Sequence, residues 1–456
     1  MLWSYCLQEK RFLFLIFILA LIARTALFYS FLSKDENYSV YFDSAQYQAV
    51  AQSIVQGKGI ANSDGSPNFY RLPGYPAFLA GCYKVFDNNL YFTLLHQIII
   101  SCLIPLLMFC VTLALFPDQF LLAKMVALVA VFHLGFVIYA GMLATESLFA
   151  LFFLFFLILL LRKKYLTSGL MLGIASLIRP VGHFLLPVAC VLVFIAQKNI
   201  RTKIKSALVL IVGWLLVVIW WLGRNWLLTG MIFFHTLPGL HFLQYSTAKV
   251  VMELRNCTYV QARGALLNEW KAKIKDQEVL LSRQLSEPEK CAIAEKITLF
   301  YCKQRPFTVI KNCMCEMVKT VFGLYSAQLI FADTQEWTDY STSSTWSKLK
   351  KYLYPNVNTW YLIPLTWFEI IASFLLLIGF VGFCLRALFN KQLFFQVLPI
   401  FLFIGLLIGL TCAYGCARLR LPLEPLLVII SMHWWLWFYQ KYCLHKKSYL
   451  EDTSCK

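Results

Sequence analysis

Residues 41–76 read YFDSAQYQAVAQSIVQGKGIANSDGSPNFYRLPGYP and lie between the first two long apolar runs of the chain. Apolar side chains recur at helical spacing through Tyr47 and Ile54, and the glycines that follow end the pattern. We predict an amphipathic helix on the membrane surface, with Asp43 at its start and an Arg-Pro-Gly turn behind it. Held at a lipid–water boundary, the Asp43 carboxylate is a candidate general base. The simpler alternative is that Asp43 only caps the helix and that Pro73-Gly74 is only a turn.

The composition indicates a polytopic all-α membrane protein. Of 456 residues, 60% are hydrophobic and only 14% are charged, against about a quarter in soluble domains. The net charge of +18 is concentrated beside the apolar runs, which is the pattern that orients membrane helices. The charge therefore argues for membrane lipids and against nucleic acid as a partner.

The apolar runs predict about ten transmembrane helices, within a range of 10 to 13. The predicted spans are 12–32, 92–116, 122–140, 146–161, 165–178, 181–196, 206–222, 362–385, 393–412 and 421–439. With a cytoplasmic N-terminus, alternation puts the basic loops 162–164, 198–205 and 386–391 on the inner face, as the positive-inside rule requires. The C-terminal tail is then also cytoplasmic.

Three regions follow from this topology. Residues 1–222 form a transmembrane catalytic core that includes the first outer loop, 33–91, and residues 223–361 form a large outer segment. Residues 362–456 hold the last spans and the tail. Within the outer segment, 268–300 predicts a charged soluble helix and 307–331 an interfacial helix.

Four polar clusters are predicted on the outer face. They are Asp43 with Arg71, Thr145-Glu146, Arg179 with His183, and Arg224-Asn225 with Arg418 and Arg420. Glu146 has a plainer explanation as a helix-start residue, and Arg179 as an anchor that reaches the headgroups. Outer arginines nevertheless run against the positive-inside bias, and a guanidinium fork suits a phosphate.

Basic groups beside one or two carboxylates at a lipid boundary suggest an amphiphilic, phosphorylated substrate such as a lipid-phosphate sugar donor. A lipid phosphate leaves as a stabilised anion, so the reaction needs a base but no general acid. No Walker loop, GxGxxG, GxSxG or HExxH motif in a supporting context points to nucleotide binding or hydrolysis. The outer cysteines lack a paired CxxC framework, and disulfides stay open.

Five motifs occur in one order along the chain. They are Asp43…Tyr47…Ala51…Gly57-x-Gly59…Arg71-x-Pro73-Gly74-Tyr75-Pro76, Thr145-Glu146, Gly169-x-x-x-Gly173-x-Ala175-x-x-x-Arg179-Pro180, Arg224-Asn225, and Arg418-x-Arg420-x-Pro422. In this order they resemble the bacterial relatives of protein O-mannosyltransferases. These are membrane C-type glycosyltransferases, similar to family 39, and they include the lipid A aminoarabinose transferase. The resemblance covers spans one to seven and span ten locally.

The resemblance implies an inverting transfer from a polyprenyl-phosphate sugar on the non-cytoplasmic side, with the key acid of the first outer loop at Asp43. In the mannosyltransferases that acid is followed directly by Glu, whereas Ser44 follows here. This departure favours the lipid-directed or uncharacterised bacterial branch and argues against a protein acceptor.

The sequence thus predicts a membrane glycosyltransferase with Asp43 and Glu146 as catalytic residues. Donor-phosphate binding is predicted at Arg71, Arg179, Arg224, Arg418 and Arg420, and an acceptor or sugar pocket at Tyr47, Tyr75, His183 and Asn225. We expect no cofactor and no metal site, although a divalent metal is possible in the superfamily. The partners are the donor, a lipid, glycan or protein acceptor, and membrane lipids. A bacterial inner membrane with a periplasmic site is the expected location.

Two alternatives remain open from the sequence. A secondary transporter would place broken, polar helices near the bilayer midplane and show repeat symmetry, whereas the charges here cluster at span ends. A non-catalytic lipid-binding protein on the same scaffold would keep the same acid.

Overall fold

The computed structural model describes residues 8–32, 43–327, 329 and 363–444. Within these ranges the regular elements are helices, and one isolated β-bridge joins Ala61 to Pro67. Three predicted features lie wholly or partly outside the described residues: the start of the first outer loop, the end of the interfacial helix with the rest of the outer segment to 361, and both cytoplasmic ends.

We number the α-helices in chain order. They are α1 Lys10–Leu32, α2 Ser44–Val55, α3 Gly74–Val85, α4 Leu90–Ser101, α5 Leu103–Leu115, α6 Phe120–Phe132, α7 Leu134–Ile138, α8 Glu146–Leu161, α9 Tyr165–Ile178, α10 Val181–Ala196, α11 Ile200–Thr229, α12 Leu237–His241, α13 Ala248–Arg255, α14 Tyr259–Leu281, α15 Glu287–Gln304, α16 Pro306–Phe322, α17 Ile363–Leu388, α18 Lys391–Gly409, α19 Ala417–Arg420 and α20 Glu424–Tyr439.

Ten apolar helical stretches of the described chain correspond to the ten predicted spans. Six are long and apolar enough to cross a membrane: Lys10–Ser30, Leu90–Leu115, Ile200–Thr229, Ile363–Leu388, Lys391–Gly409 and Ala417–Tyr442. Four shorter apolar helices are α6, α8, α9 and α10. The chain is an all-α polytopic membrane protein, and α2 is the amphipathic helix predicted in the first outer loop.

The third predicted span, 122–140, is not one continuous helix. α6 ends at Phe132, His133 takes an extended conformation, and the short helix α7 follows. The Nε2 atom of His133 lies 3.3 Å from the Glu424 carboxylate. A tertiary contact of this kind interrupts the helix, and the periodicity of an apolar run does not reveal it.

The seventh span is longer than the predicted 206–222. α11 begins after Asn199, whose side chain accepts a hydrogen bond from the Arg201 N–H, and ends at Gly230 in the left-handed conformation (φ 72°). Arg224 and Asn225 therefore lie in the last turns of this helix and not in a loop after it.

Glycines set the distance between α9 and α11. A Cβ on Gly169 would overlap the Leu210 carbonyl, and one on Gly213 would overlap the Leu166 carbonyl. Small residues of this kind let two membrane helices approach through their backbones. The glycine motif of α9 thus has a packing role, and it fixes where Arg179 emerges after α9.

The charged stretch with predicted helical periodicity, 268–300, belongs to two helices. Capping boxes at Thr258 and Ser286 start α14 and α15, and Ser282 ends α14 in the left-handed conformation. A small apolar core that includes Leu266 and Ile297 joins them.

α16 has two different faces. Its exposed side presents an apolar stripe at helical spacing: Phe307, Ile310, Met314, Val318 and Phe322. On the other side, the buried Glu316 pairs with Lys249 and Lys319 and accepts a hydrogen bond of 2.7 Å from the Gly415 N–H. This amphipathic form is what the interfacial prediction requires, although the helix ends at Phe322 and not at residue 331.

Candidate active site

The site is built on the loop between α2 and α3, which the chain holds in place from two sides. The Asn68 side-chain oxygen accepts a hydrogen bond from the backbone N–H of Arg71, with an N–O distance of 2.8 Å. Arg224, at the end of α11, donates to the carbonyls of Asn68 (3.2 Å) and Ile60 (2.8 Å). On the other side, Gly74 approaches the Leu177 carbonyl so closely that a Cβ would lie 2.7 Å from the oxygen. Arg71 is therefore fixed against the end of α9.

Five charged side chains form one alternating chain at this position. Arg71 Nη2 lies 2.5 Å from Asp43 Oδ1, and Arg418 Nη1 lies 2.9 Å from Asp43 Oδ2. Arg418 Nε reaches Glu146 Oε1 at 2.5 Å, and Arg179 Nη1 lies 2.7 Å from the same oxygen. We call these five residues the ion chain. It joins four parts of the sequence, from residue 43 to residue 418.

The two carboxylates of the ion chain differ in exposure. The Asp43 side chain is 33% exposed, whereas the Glu146 side chain is fully buried and Arg179 is 9% exposed. Asp43 is thus the more accessible carboxylate of the two. The inner pair of Glu146 and Arg179 orients Arg418 from behind.

The charges around Asp43 control its acidity. Burial alone would raise the pKa of this carboxyl, but the positive charges of Arg418 and Arg71 and their hydrogen bonds outweigh it, so the pKa is lowered from its ordinary 3.8. Asp43 is therefore ionised at neutral pH. While both arginines remain bound to it, it is a weak base.

The geometry decides against the plainer explanations of three residues. Asp43 precedes α2, but its side chain makes no capping hydrogen bond. Glu146 begins α8, yet its carboxylate is directed at Arg418 and Arg179. Arg179 is buried against this carboxylate and the Phe149 ring, and so does not extend to the headgroups.

Two predicted phosphate-binding arginines have other contacts. Arg224 supports the loop as described above. Arg420 pairs with Glu424 at 2.5 Å and donates to backbone carbonyls at the end of α16. Neither belongs to the ion chain, and a phosphate-binding role for them stays a prediction.

Of the four predicted pocket residues, two lie at or near the ion chain and two contact other parts of the fold. Tyr47 lies beside the ion chain: its ring is 5.0 Å from the Arg71 guanidinium and packs edge-on against Tyr75. Tyr75 is buried and donates to Gln97 at 2.8 Å. Asn225 donates to the Phe233 carbonyl, and His183 stacks on Phe234 at 4.6 Å. The last two thus support the start of the outer segment.

A second buried network lies beside the site and was not predicted. Glu424 accepts hydrogen bonds from Arg420 and from the Tyr325 hydroxyl (2.9 Å), and His133 contacts its other oxygen. Glu369 accepts the backbone N–H groups of Tyr325 (2.5 Å) and Ser326. This network ties the chain after α16 to α17 and α20. The i,i+4 spacing of Arg420 and Glu424 could have indicated their pair, whereas Glu369 stands alone in an apolar run and its spacing gives no signal of a partner.

Sequence reasoning also missed aromatic residues around the ion chain. Tyr70 lies 4.9 Å from the Arg71 guanidinium. His241, Tyr245 and Tyr414 form a cluster of ring contacts, and Tyr414 lies four positions before Arg418. No motif marks these positions, because their proximity depends on how the outer segment folds back over the loop.

In the described part of the chain, no group of three or more His, Cys, Asp or Glu side chains is arranged to hold a metal ion. The carboxylates of the ion chain face arginines, which neutralise them. The expectation that the protein needs no metal remains a prediction.

Comparison with known proteins shows similarity at the level of structure. No family model and no curated protein matches the chain. Among solved structures, the crystal structure of ArnT from Cupriavidus metallidurans in the apo state is similar, with 14% sequence identity over 90% of this chain and 76% of that chain, and a TM-score of 0.32. We assign no residue role from this similarity.

Proposed function

We propose that the protein is an integral-membrane glycosyltransferase that transfers a sugar from a polyprenyl-phosphate donor to an acceptor on the non-cytoplasmic face. The observation that carries this proposal is the ion chain. A half-open carboxylate held between two arginines, at one end of an apolar helix bundle, suits the attack of a hydroxyl beside a lipid-linked phosphate.

The charges of the ion chain fit the donor. Three guanidinium groups and two carboxylates leave one positive charge in excess, and a polyprenyl-phosphate sugar carries one negative charge on its phosphodiester. During transfer the phosphate gains a second negative charge. Arg418 and Arg71 already lie in position to bind that charge, and preorganised donors of this kind stabilise a transition state more than they stabilise the ground state.

The reaction balances with one base. The acceptor oxygen forms a bond to the anomeric carbon of the donor while the bond from that carbon to the phosphate oxygen breaks. The proton of the acceptor hydroxyl passes to the Asp43 carboxylate, and polyprenyl phosphate leaves as a dianion. Attack from the face opposite the phosphate inverts the anomeric centre.

Donor binding also activates Asp43 in this mechanism. In the free protein Arg71 and Arg418 both pair with Asp43 and lower its pKa. When the donor phosphate takes these arginines, Asp43 loses its partners and becomes a stronger base. The carboxylate therefore gains basicity only when a sugar is ready for transfer. Glu146 keeps Arg418 oriented throughout.

The location follows from the same proposal. Polyprenyl-phosphate sugars are presented at the outer leaflet of a bacterial inner membrane, so the ion chain would face the periplasm. The basic loops would then face the cytoplasm, in line with the charge distribution of the sequence.

The first experiment is a transfer assay in proteoliposomes with radiolabelled undecaprenyl-phosphate sugars and total lipid extract. We expect label to reach an acceptor with the wild-type protein, and Asp43→Asn to reduce the rate by about 10²–10⁴-fold, the usual contribution of a general base. Asp64→Asn is the matched control. Asp64 is an exposed acid of the same loop, and its carboxylate accepts hydrogen bonds from Ser66.

Full activity of Asp43→Asn would exclude Asp43 as the general base. If the folded wild-type protein moves no sugar from any donor, the transferase proposal is wrong, and the lipid-binding and transport alternatives become the better explanations.

A further inference from the structure

Three aromatic side chains from two distant parts of the chain meet beside the ion chain. His241 ends α12, Tyr245 lies in the π-helical turn Phe242–Thr247 that follows, and Tyr414 lies in the turn between α18 and α19. The ring centroid of Tyr245 is 4.6 Å from that of His241 and 4.7 Å from that of Tyr414. We call these three residues the aromatic cluster. All three are only partly buried.

The aromatic cluster is held rigidly from behind. The Arg263 guanidinium lies 5.7 Å from the Tyr245 ring and donates to the neighbouring Gln244 side chain at 2.7 Å. The turn that carries Tyr414 is fixed to α16 because the Gly415 N–H donates to Glu316. π-Helical turns inside helices are frequent at functional sites. The rings are thus fixed on two elements that the rest of the fold holds together.

The aromatic cluster is connected to the part of the ion chain that holds Asp43, Arg71 and Arg418. Tyr414 lies four positions before Arg418 in the chain, and the backbone N–H of Thr236, directly before α12, donates to the Phe69 carbonyl, two positions before Arg71. Tyr70, between Phe69 and Arg71, has its ring 4.9 Å from the Arg71 guanidinium. The aromatic cluster is therefore anchored to both arginines that bind Asp43, the more exposed carboxylate of the ion chain.

We propose that the aromatic cluster is the acceptor subsite, and that a sugar ring of the acceptor stacks on it with one hydroxyl directed at Asp43. This inference rests on the proposed glycosyl transfer. The apolar C–H face of a pyranose complements an aromatic face, and its hydroxyl edge is left free for polar contacts. The acceptor is accordingly a glycolipid or glycan, and not a serine or threonine of a protein.

The position of the arginines assigns the rings to the acceptor and not to the donor sugar. Of the two arginines that would bind the donor phosphate, Arg418 reaches back to the buried Glu146, while the aromatic cluster belongs to the outer segment and the adjoining turn. In an inverting transfer the acceptor hydroxyl and the leaving phosphate lie on opposite sides of the anomeric carbon. The inference places the aromatic cluster on the side of the acceptor hydroxyl.

The test is a kinetic comparison in proteoliposomes, with the donor sugar and the total lipid extract varied separately. We expect Tyr245→Ala to raise the half-saturating amount of acceptor about three- to tenfold, since the aromatic face on which the sugar stacks is removed, and to leave the donor KM within about twofold. Tyr245→Phe keeps the ring and should give a smaller rise. Phe300→Ala, an exposed aromatic of α15 outside the cluster, is the matched control.

An unchanged acceptor requirement in Tyr245→Ala would overturn the inference, and so would an equal rise in the donor KM. A second measurement is independent of catalysis: native mass spectrometry of delipidated protein mixed with the glycolipid fraction of the extract, in the Asp43→Asn background. Glycolipid retained by Asp43→Asn and lost with Tyr245→Ala supports the subsite even if no transfer is found. Equal retention by both excludes it even if transfer occurs.

Discussion

At the scale of single residues, the acidity of Asp43 depends on its two arginines. Because its pKa is lowered, Asp43 stays ionised to below its ordinary pKa of 3.8, and kcat/KM should remain flat from neutral pH down to about pH 5. Arg71→Gln removes one positive charge and one hydrogen bond, so the pKa should rise and the acid limb of kcat/KM should move to higher pH. The pH profile of transfer measures this shift.

Arg283→Gln is the control for the pH profile, because Arg283 is an exposed arginine that pairs with Glu289 in the outer segment. It should leave the acid limb in place. The same sign applies to stability: a lowered carboxyl pKa contributes stability at neutral pH that is lost as the pH falls through the folded-state value. An unchanged limb in Arg71→Gln would mean that Asp43 does not control the rate.

Arg24 tests whether a buried charge in the first span is structural. It is 0% exposed, donates to Ser101 at 2.9 Å and to the carbonyls of Ala20 and Val131, and no ion pair between described residues includes it. Burying an unpaired charge is costly, and an apolar residue of similar volume is often neutral or stabilising in its place. We therefore expect Arg24→Met to unfold in detergent at the same temperature as the wild type or higher.

Arg24→Ala should lower that temperature, since it leaves a cavity that costs about 2–5 kcal/mol. Wild-type thermal stability of Arg24→Met combined with a loss of transfer would instead show that Arg24 serves the reaction. A marked destabilisation in both variants would mean that its hydrogen bonds across α1, α4 and α6 outweigh the cost of the charge.

Single residues also show where prediction from the sequence stops. Glu146, Arg179 and Arg418 are charged residues at or between predicted span ends, and Asp43 and Arg71 lie in the first predicted outer loop, so the sequence indicates all five as outer-face residues. Their pairing could not be read from spacing, because Asp43 and Arg418 are separated by 375 positions. Arg24 was passed over because one charge does not alter the hydropathy of a long apolar run.

At the scale of helices, the start of α3 positions the site. Gly74 lies against the end of α9, and a Cβ there would be 2.7 Å from the Leu177 carbonyl oxygen and 2.9 Å from the Ile178 side chain. Contacts shorter than van der Waals distance force the backbone apart. We expect Gly74→Ala to displace Arg71 and to reduce transfer at least tenfold, with a lower unfolding temperature.

Gly81→Ala is a matched control in the same helix, because a Cβ at Gly81 has open space around it. It should keep transfer activity and stabilise α3 slightly, as alanine favours a helix by about 1 kcal/mol over glycine. If Gly74→Ala and Gly81→Ala change transfer and unfolding temperature equally, the effect of a methyl group does not depend on its position in α3. The contact of Gly74 with α9 would then not be what fixes the loop.

Helices also divide into those that hydropathy predicts and those that contacts decide. α8 and α17 agree closely with the predicted 146–161 and 362–385, since an uninterrupted apolar run ends where charges begin. Hydropathy did not predict the break at His133, where the side chain contacts Glu424 in α20. It also did not predict that α11 continues past Arg224 and Asn225 to Thr229, where Gly230 ends the helix.

At the scale of the whole molecule, the outer segment completes the site. Hydropathy separated this segment from the bundle, but its charged helices gave no indication that the stretch before them folds back over the first loop. Thr236 donates its backbone N–H to the Phe69 carbonyl, and Trp221 donates to the Phe234 carbonyl. These contacts bring α12 to the ion chain. The sequence predicted the helical scaffold and the charged residues of the ion chain. The position of the aromatic cluster depends on how the outer segment folds back over the first loop.

The orientation of the molecule in the membrane gives the last prediction. The ion chain and the basic loop 162–164 lie at opposite ends of α8, which begins at Glu146 and ends before Arg162-Lys163-Lys164. The proposed chemistry needs the first end outside and the positive-inside rule needs the second end inside. Ser63 and Lys164 are exposed positions at these two ends.

We expect a membrane-impermeant maleimide to label Ser63→Cys in intact cells. Lys164→Cys should be labelled only after the membrane is opened, with the parent chain measured in parallel as the background. Labelling of Lys164→Cys alone in intact cells would show that the topology is the reverse of the predicted one. Asp43 would then face the cytoplasm, where a donor presented on the outer leaflet cannot reach it, and the transferase proposal would fail together with the orientation.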